Sequence, residues 1–364
     1  MPVGDDPVHP LDAEGLRTRV HKEIDGFLAR QVMTLEDVSL DCAPLQDAIG
    51  ELMRGGKRLR AAFCYWGWRG AGGPDSPSIV SAATAMEFFQ SAALIHDDLM
   101  DNSDTRRGIP STHRRFAALH RSRSWQGDAD RFGLAGAVLA GDLCLVWSEE
   151  IFAGCGVAPA QLSHGQRLFD RMRAQLMGGQ YLDMLEQAVP PRGSGHAVER
   201  ARQVIRYKSA KYSVEYPLLI GAALAGADDR LLETYSAFGL PLGEAFQLRD
   251  DVLGVFGDPR RTGKPAGDDL REGKRTVLVA KALEAASPAQ AEIVHRLLGD
   301  PDLEAQGVAD LRQVLVETGA LDAVERLIDE LVGRTRSALA EAWLHDPARR
   351  VLDELVEAAT ARSA

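Results

Sequence analysis

Residues 87–108 read EFFQSAALIHDDLMDNSDTRRG, and the reading of the whole chain turns on them. Phe88 to Ile95 are almost all apolar, and the pattern breaks only at Gly108 and Pro110. The segment therefore reads as a buried helix with an acidic end. Asp97 and Asp101 stand four residues apart, so both carboxylates project from one helix face, with Asp98 beside them. Bare carboxylates at that spacing repel, and an ordinary surface helix would carry lysine or arginine at one of the positions. Hard divalent cations with oxygen ligands relieve the repulsion, and Mg²⁺ does so while keeping waters and binding phosphate oxygens.

Outward from this stretch the periodicity stays helical. Leu321, Val324, Ile328 and Leu331 recur at three- and four-residue steps, as do Leu311, Val314 and Leu315, each set marking one buried face. Gly/Pro-rich breaks at 70–78, 102–110, 154–159, 190–195 and 257–267 read as loops, and alternating β-branched runs are hard to find. The expectation is an all-α chain. Residues 1–10 are expected to be a frayed terminus and 11–364 a single helical domain, since no repeat or composition shift marks a linker.

Bulk properties narrow the function. The 364 residues are 45% hydrophobic and 26% charged, an ordinary globular balance, and the net charge of −11 sets the chain against nucleic acid as a partner. An anionic substrate must then be met by local basic clusters or by metal ions. The four cysteines, Cys42, Cys64, Cys144 and Cys155, form no CxxC pair, which fits a reducing cytoplasm. The opening MPVGDDPVHP lacks a basic apolar leader, so no signal peptide is expected. The apolar stretches around 132–147 and 217–227 are short or broken by Gly141 and Asp142, so no spanning helix or stable membrane insertion is expected.

A second acidic cluster lies in FQLRDDVLGVFGD (246–258), again ending an apolar helical stretch. Asp250 and Asp251 are present, but the residue four after Asp250 is Gly254, and Asp258 could add an oxygen only if the helix continued through Gly257–Pro259. Each cluster taken alone also fits a solvated helix end. The basic residues weigh against that: Arg54, Lys57, Arg58 and Arg60 crowd around Gly55–Gly56, and Arg106 and Arg107 follow the first cluster. Lys208 and Lys211 lie in YKSAKYSVEYP, and Lys264 and Lys274 flank Asp268–Asp269. Glycines admit close backbone approach, and Lys and Arg supply charge-assisted bonds to phosphate. This inventory suggests two phosphate-bearing ligands, one bridged through metals and one gripped directly. The glycine pair is no Walker loop, since GxxxxGK[ST] spacing is absent.

The motifs GGKRLR, DDLMDNSDTRRG, GGQYLDM (178–184), YKSAKY, FQLRDD and TGK, in that order from about Gly55 to Lys274, resemble the trans-isoprenyl diphosphate synthases of the polyprenyl synthetase family. Within it the chain is most similar to geranylgeranyl diphosphate synthases. The resemblance implies a helical bundle around a central apolar cavity, the isoprenoid synthase-like fold, and a homodimer. It implies that Asp97 and Asp101, with Asp98 beside them, coordinate two Mg²⁺ ions on an allylic diphosphate. Asp250 would bind a third, helped by Asp251 and Asp269. Arg106, Lys208 and Lys264 would neutralise the same diphosphate; Lys57, Arg60, Arg107 and Gln90 would hold isopentenyl diphosphate; Gln247 and Lys274 would complete the polar wall. Two departures stand out: Gly254 replaces the usual third aspartate, and Ala61 stands where the family usually has proline.

The implied reaction condenses isopentenyl diphosphate head to tail with dimethylallyl, geranyl or farnesyl diphosphate. Breaking the allylic C–O bond leaves a carbocation and pyrophosphate, so fixed cations and a dry cavity are needed. Pyrophosphate itself is a candidate base. A helical turn rises about 5.4 Å, close to one isoprene unit. Ala92 and Ala93, one turn before Asp97, are too small to stop a growing chain, whereas Phe89, two turns before, either forms a floor or simply packs in the core. The expected product is longer than C15, with C20 favoured. Rival readings are a class I terpene cyclase, which has no use for Lys57, Arg60 and Arg107, and a non-catalytic regulatory subunit, which has no use for the intact aspartates.

Overall fold

Polar caps fix where the helices begin. The Asp128 carboxylate accepts the N–H groups of Asp130 and Arg131, Asp228 accepts that of Leu231, and Ser287 with Gln290 makes a reciprocal capping box. The structure is a computed structural model that describes residues 10–189, 196–257 and 267–360. The expected loops at 190–195 and most of 257–267, the expected terminus at 1–9, and with them Asp258 and Lys264, lie outside the described residues.

The elements are α1 (Leu16–Glu36), α2 (Ala43–Arg54), α3 (Leu59–Gly70), α4 (Pro77–Met100), β1 (Thr105–Arg106), β2 (Ile109–Pro110), α5 (Thr112–Ser122), α6 (Ala129–Ala153), α7 (Pro159–Ala188) and α8 (Ala197–Val204). A π-helical stretch, Ile205–Glu215, leads into α9 (Tyr216–Leu224) and α10 (Asp229–Phe256). Then come α11 (Asp268–Arg271), α12 (Val277–Ala285), α13 (Pro288–Leu297), α14 (Ala305–Glu317), α15 (Ala320–Glu341) and α16 (Ala348–Thr360). The all-α expectation holds, with one two-residue ladder, Thr105 opposite Pro110 and Arg106 opposite Ile109, as the only sheet among the described residues.

Contacts divide the chain into two compact units. One comprises Met1–Gln166, Ile220–Ala227 and His345–Val351; the other Arg167–Leu219, Asp228–Leu344 and Leu352–Ala364. In the first, α4 is the core helix: Ile79, Ala82, Ala83, Ala85, Phe88, Phe89 and Ala92 are buried. Phe27 of α1, Phe88 of α4 and Trp147 of α6 pack edge to face, with ring centroids 5.2, 5.9 and 6.2 Å apart. Such packing adds to the area that the three rings bury. In the second unit Leu248, Val252 and Val255 of α10 meet Leu311, Val314 and Leu315 of α14 and Val324, Ile328 and Leu331 of α15. The faces read from the 3.6 periodicity are thus the faces that pack.

Two helices, α4 and α6, have the length and apolar content of a membrane span. In α4 78% of the most apolar window is buried and in α6 only 39%. The first spends its apolar surface on the core. The second keeps Leu134, Val138, Leu139 and Val146 on an exposed stripe.

Candidate active site

In the first unit α4 ends at Met100 with Asp97, Asp98 and Asp101 in or just beyond its last turn. The negative end of the helix dipole is an unfavourable place for three carboxylates, so cations must gather there. The Asp101 N–H donates to the Asp97 carbonyl at 2.8 Å, so the helical turn continues through Asp101 and Asp97 and Asp101 share a face. Both are half-buried, whereas Asp98 is 2% exposed. Arg106 explains the difference. Its Nε donates to Asp98 Oδ1 at 2.8 Å, its Nη2 bonds the same oxygen, and Asp97 Oδ2 lies 3.5 Å away.

Arg106 and Arg107 leave the hairpin in different directions. Arg107 (φ 55) and Gly108 (φ 78) form the two-residue turn between β1 and β2, and successive strand residues face opposite ways. Arg107 Nη1 donates to the carbonyls of Leu52 and Gly55 at 3.0 and 2.8 Å. A Cβ at Gly56, where φ is +111, would meet the Arg107 guanidinium at 2.9 Å. The group that approaches the glycine pair so closely is therefore an arginine of the same chain. Desolvation of the guanidinium lowers its pKa, although the residue keeps solvent contact overall; Glu87 opposes the fall, and Arg58, Arg60 and Arg106 add to it.

The GGKRLR motif splits by burial. Lys57 is exposed and Arg60 half-buried, but Arg58 is 4% exposed and paired with Glu87. Gln90, on the same helix as Asp97, is buried. Of the three chain-length residues, Phe89 and Ala92 are fully buried and Ala93 is half-buried.

In the second unit Asp250 and Asp251 stand on α10, and Asp269 is in the first turn of the short α11. Gln247 Nε2 donates to Asp251 Oδ1 at 2.8 Å, and Lys274 Nζ lies 3.4 Å from Asp269 Oδ1 while also pairing with Glu272. Burial pushes the Asp251 carboxyl up to about 8; the bond from Gln247 opposes the rise, the charges of Asp269 and Asp250 add to it, and Lys274 opposes it. A Cβ at Gly254 would fall 2.0 Å from Asp269 Oδ2, so the place of the absent aspartate side chain is filled by the carboxylate of α11.

Lys208 lies in the π-helical stretch, 2.6 Å from Asp183 of α7. Gly179 makes the approach of α7 possible, since a Cβ there would meet the Lys208 backbone nitrogen at 2.4 Å. Asp183, within GGQYLDM, drew no role from the sequence; its signal was an acid four residues after the glycine pair on a helix otherwise mostly apolar there. Glu87 went unassigned too, although a lone acid in the apolar run MEFFQSAALI marks a buried pair.

A sequence profile of the polyprenyl synthetase family matches residues 43–315. The chain belongs to this family. It is 33% identical over 276 residues to a geranylgeranyl diphosphate synthase of Methanosarcina mazei, covering 75% of this chain and 76% of that one. It is 31% identical over 312 residues to a geranylfarnesyl diphosphate synthase of Aeropyrum pernix, covering 83% and 90%. Its fold matches a geranylgeranyl pyrophosphate synthase of Corynebacterium glutamicum, crystallised with isoprenyl diphosphate and magnesium, with a TM-score of 0.90 and 36% identity over 96% of this chain and 98% of that one. The fold is the all-α isoprenoid synthase fold, and the chain is a prenyltransferase of the isoprenyl diphosphate synthase kind.

Proposed function

We propose that the chain condenses isopentenyl diphosphate with an allylic diphosphate (dimethylallyl, geranyl or farnesyl), releases pyrophosphate and yields a trans-prenyl diphosphate of C20. The observation that carries this is the pair of carboxylate sets, Asp97 with Asp101 and Asp250 with Asp251 and Asp269, each beside fixed cations. A single catalytic domain over 11–364 and a cytoplasmic setting go with it; the cysteines are all free thiols.

The donor set fits Mg²⁺. Among the described residues no three His, Cys, Asp or Glu side chains are grouped to hold a metal ion; what fits is the donor type, carboxylate oxygens, the hard ligands that Mg²⁺ takes together with water and phosphate. Three ions per site is the expected number. When bound, divalent ions supply Lewis-acid neutralisation of the departing pyrophosphate.

Asp97, Asp101 and Asp250 hold those ions, with Asp98 supporting through Arg106 and with Asp251 and Asp269 acting beside Asp250. Arg106, Lys208 and Lys264 take up the negative charge that develops as the C–O bond breaks. Lys57, Arg60, Arg107 and Gln90 hold isopentenyl diphosphate so that its double bond faces the cation; Gln247 and Lys274 orient the carboxylates. Ala92 and Ala93 leave room for elongation, and Phe89 bounds it. The exposed apolar stripe of α6 supports a homodimer.

The test is incubation with labelled isopentenyl diphosphate, each allylic starter and Mg²⁺, followed by sizing of the products. Incorporation into C20 diphosphate supports the reading. A cyclised hydrocarbon from a single prenyl diphosphate, or no turnover by the purified chain, would overturn it.

A further inference from the structure

We propose that Arg58 and Glu87 form a positioning pair that fixes how Lys57 and Arg60 are presented to isopentenyl diphosphate. The inference rests on the reading above, in which Lys57 and Arg60 grip that substrate.

The side chains of Arg58 and Glu87 are 3% and 5% exposed, and Arg58 Nη1 donates to Glu87 Oε2 at 3.3 Å. Arginine is almost never buried without a partner, and here the partner comes from another helix. Arg58 is therefore not one of the cations that the GGKRLR motif offers to phosphate. Its backbone lies in the left-handed region, φ 58 and ψ 36, which a side-chain-bearing residue adopts only at a steric cost. A residue held in that conformation needs surroundings that over-determine it.

Those surroundings are present. Arg58 is the N-cap of α3, and no side-chain bond caps the helix from that position. Glu87 Oε1 supplies the missing acceptor: it takes the N–H of Ala61, in the first turn of α3, at 3.1 Å. A carboxylate at a helix N-terminus is also favoured by the dipole. The family's usual proline at this position would have no N–H to give. Arg58 Nη2 further bonds the Met53 carbonyl at the end of α2 and faces His21 Nδ1 of α1 at 3.2 Å. One guanidinium thus ties α1, α2 and α4 to the start of α3.

The position of the pair gives it a consequence for binding. Gly55 and Gly56 have no side chains to anchor the turn, and Lys57 and Arg60 flank Arg58 at one and two residues. Glu87 stands three residues before Gln90 on α4, so the pair registers the basic turn against the helix that carries Gln90 and Asp97. A group that holds a ligand from two separate elements requires such a register, because small displacements weaken every charge-assisted bond together.

The experiment measures KM for isopentenyl diphosphate and for the allylic substrate separately, with thermal unfolding, for Arg58→Met, Arg58→Lys and the double variant Arg58→Met/Glu87→Gln. The double variant leaves no unpaired buried carboxylate and keeps an acceptor for Ala61, so it folds even if the single one does not. The expected result is KM for isopentenyl diphosphate raised about tenfold in both Met variants, KM for the allylic substrate within about twofold, and partial recovery with lysine. A folded double variant with wild-type KM for isopentenyl diphosphate overturns the proposal. So does an equal rise in both KM values that tracks lost stability. Wild-type protein assayed alongside separates this failure from that of the underlying reading: if it does not consume isopentenyl diphosphate, the proposed function itself falls.

Discussion

Asp269 occupies the space that a side chain at Gly254 would need, its Oδ2 lying 2.0 Å from where a Cβ at 254 would be. An aspartate restored at 254, in keeping with the usual family pattern, would therefore expel the carboxylate that replaces it. Gly254→Ala is expected to displace Asp269 and raise the Mg²⁺ concentration for half-maximal turnover on the order of tenfold, as loss of outer support to metal ligands does. Mg²⁺ titration of activity and direct Mn²⁺ binding both read the effect; unchanged curves would leave Gly254 without a metal-related role.

The buried Asp251 predicts a pH dependence of stability in chelator-treated protein. Its pKa rises on folding from 3.8 to about 8, so between those values the folded state holds a proton that the unfolded state has lost. This group's contribution to stability is full below about pH 4, declines as pH rises, and is gone above about pH 8. Melting curves across that range should fall with pH for the wild type and fall less for Asp251→Asn. Parallel curves would contradict it.

Removing Arg106 leaves Asp98 a buried carboxylate without its closest ion-pair partner. Arg106→Leu is expected to lose about 3–5 kcal/mol in urea unfolding, as broken buried pairs do. Pairing it with Asp98→Asn should restore much of that stability but not turnover, since in the proposed function Arg106 also neutralises the diphosphate.

Gly179→Ala sets a methyl group against the backbone of Lys208, 2.4 Å from its nitrogen. Overpacking of this kind costs about 1–3 kcal/mol. Thermal unfolding should show that loss, and the KM of the allylic substrate should rise as Lys208 shifts away from Asp183.

Ala93→Phe tests the product ruler. Ala93 keeps partial exposure where Phe89 and Ala92 have none, so a ring there narrows the path beyond Asp97. Products should shorten by at least one isoprene unit on chromatography. An unchanged distribution would refute the ruler.

Much of this site was legible in the chain itself. The four-residue spacing of Asp97 and Asp101, the apolar run before them and the ordered basic motifs are local facts, and helical geometry turns spacing into direction. Two readings changed in three dimensions. GGKRLR looks like three cations aimed at phosphate, yet Arg58 turns inward to Glu87 and Arg107 takes the place beside Gly56. The replacement of the family's proline by Ala61 reads in the sequence only as a departure, yet the Ala61 N–H donates to the Glu87 carboxylate.

By itself the sequence determined that the chain is helical, which helix faces are apolar, and which acidic and basic residues are candidates for diphosphate and metal chemistry, because periodicity and spacing fix orientation about a helix axis. Only the tertiary structure decided which charges are spent on each other. Arg58 meets Glu87 across 29 residues and Asp269 reaches the space beside Gly254, and such pairings depend on how helices pack, which no local pattern records.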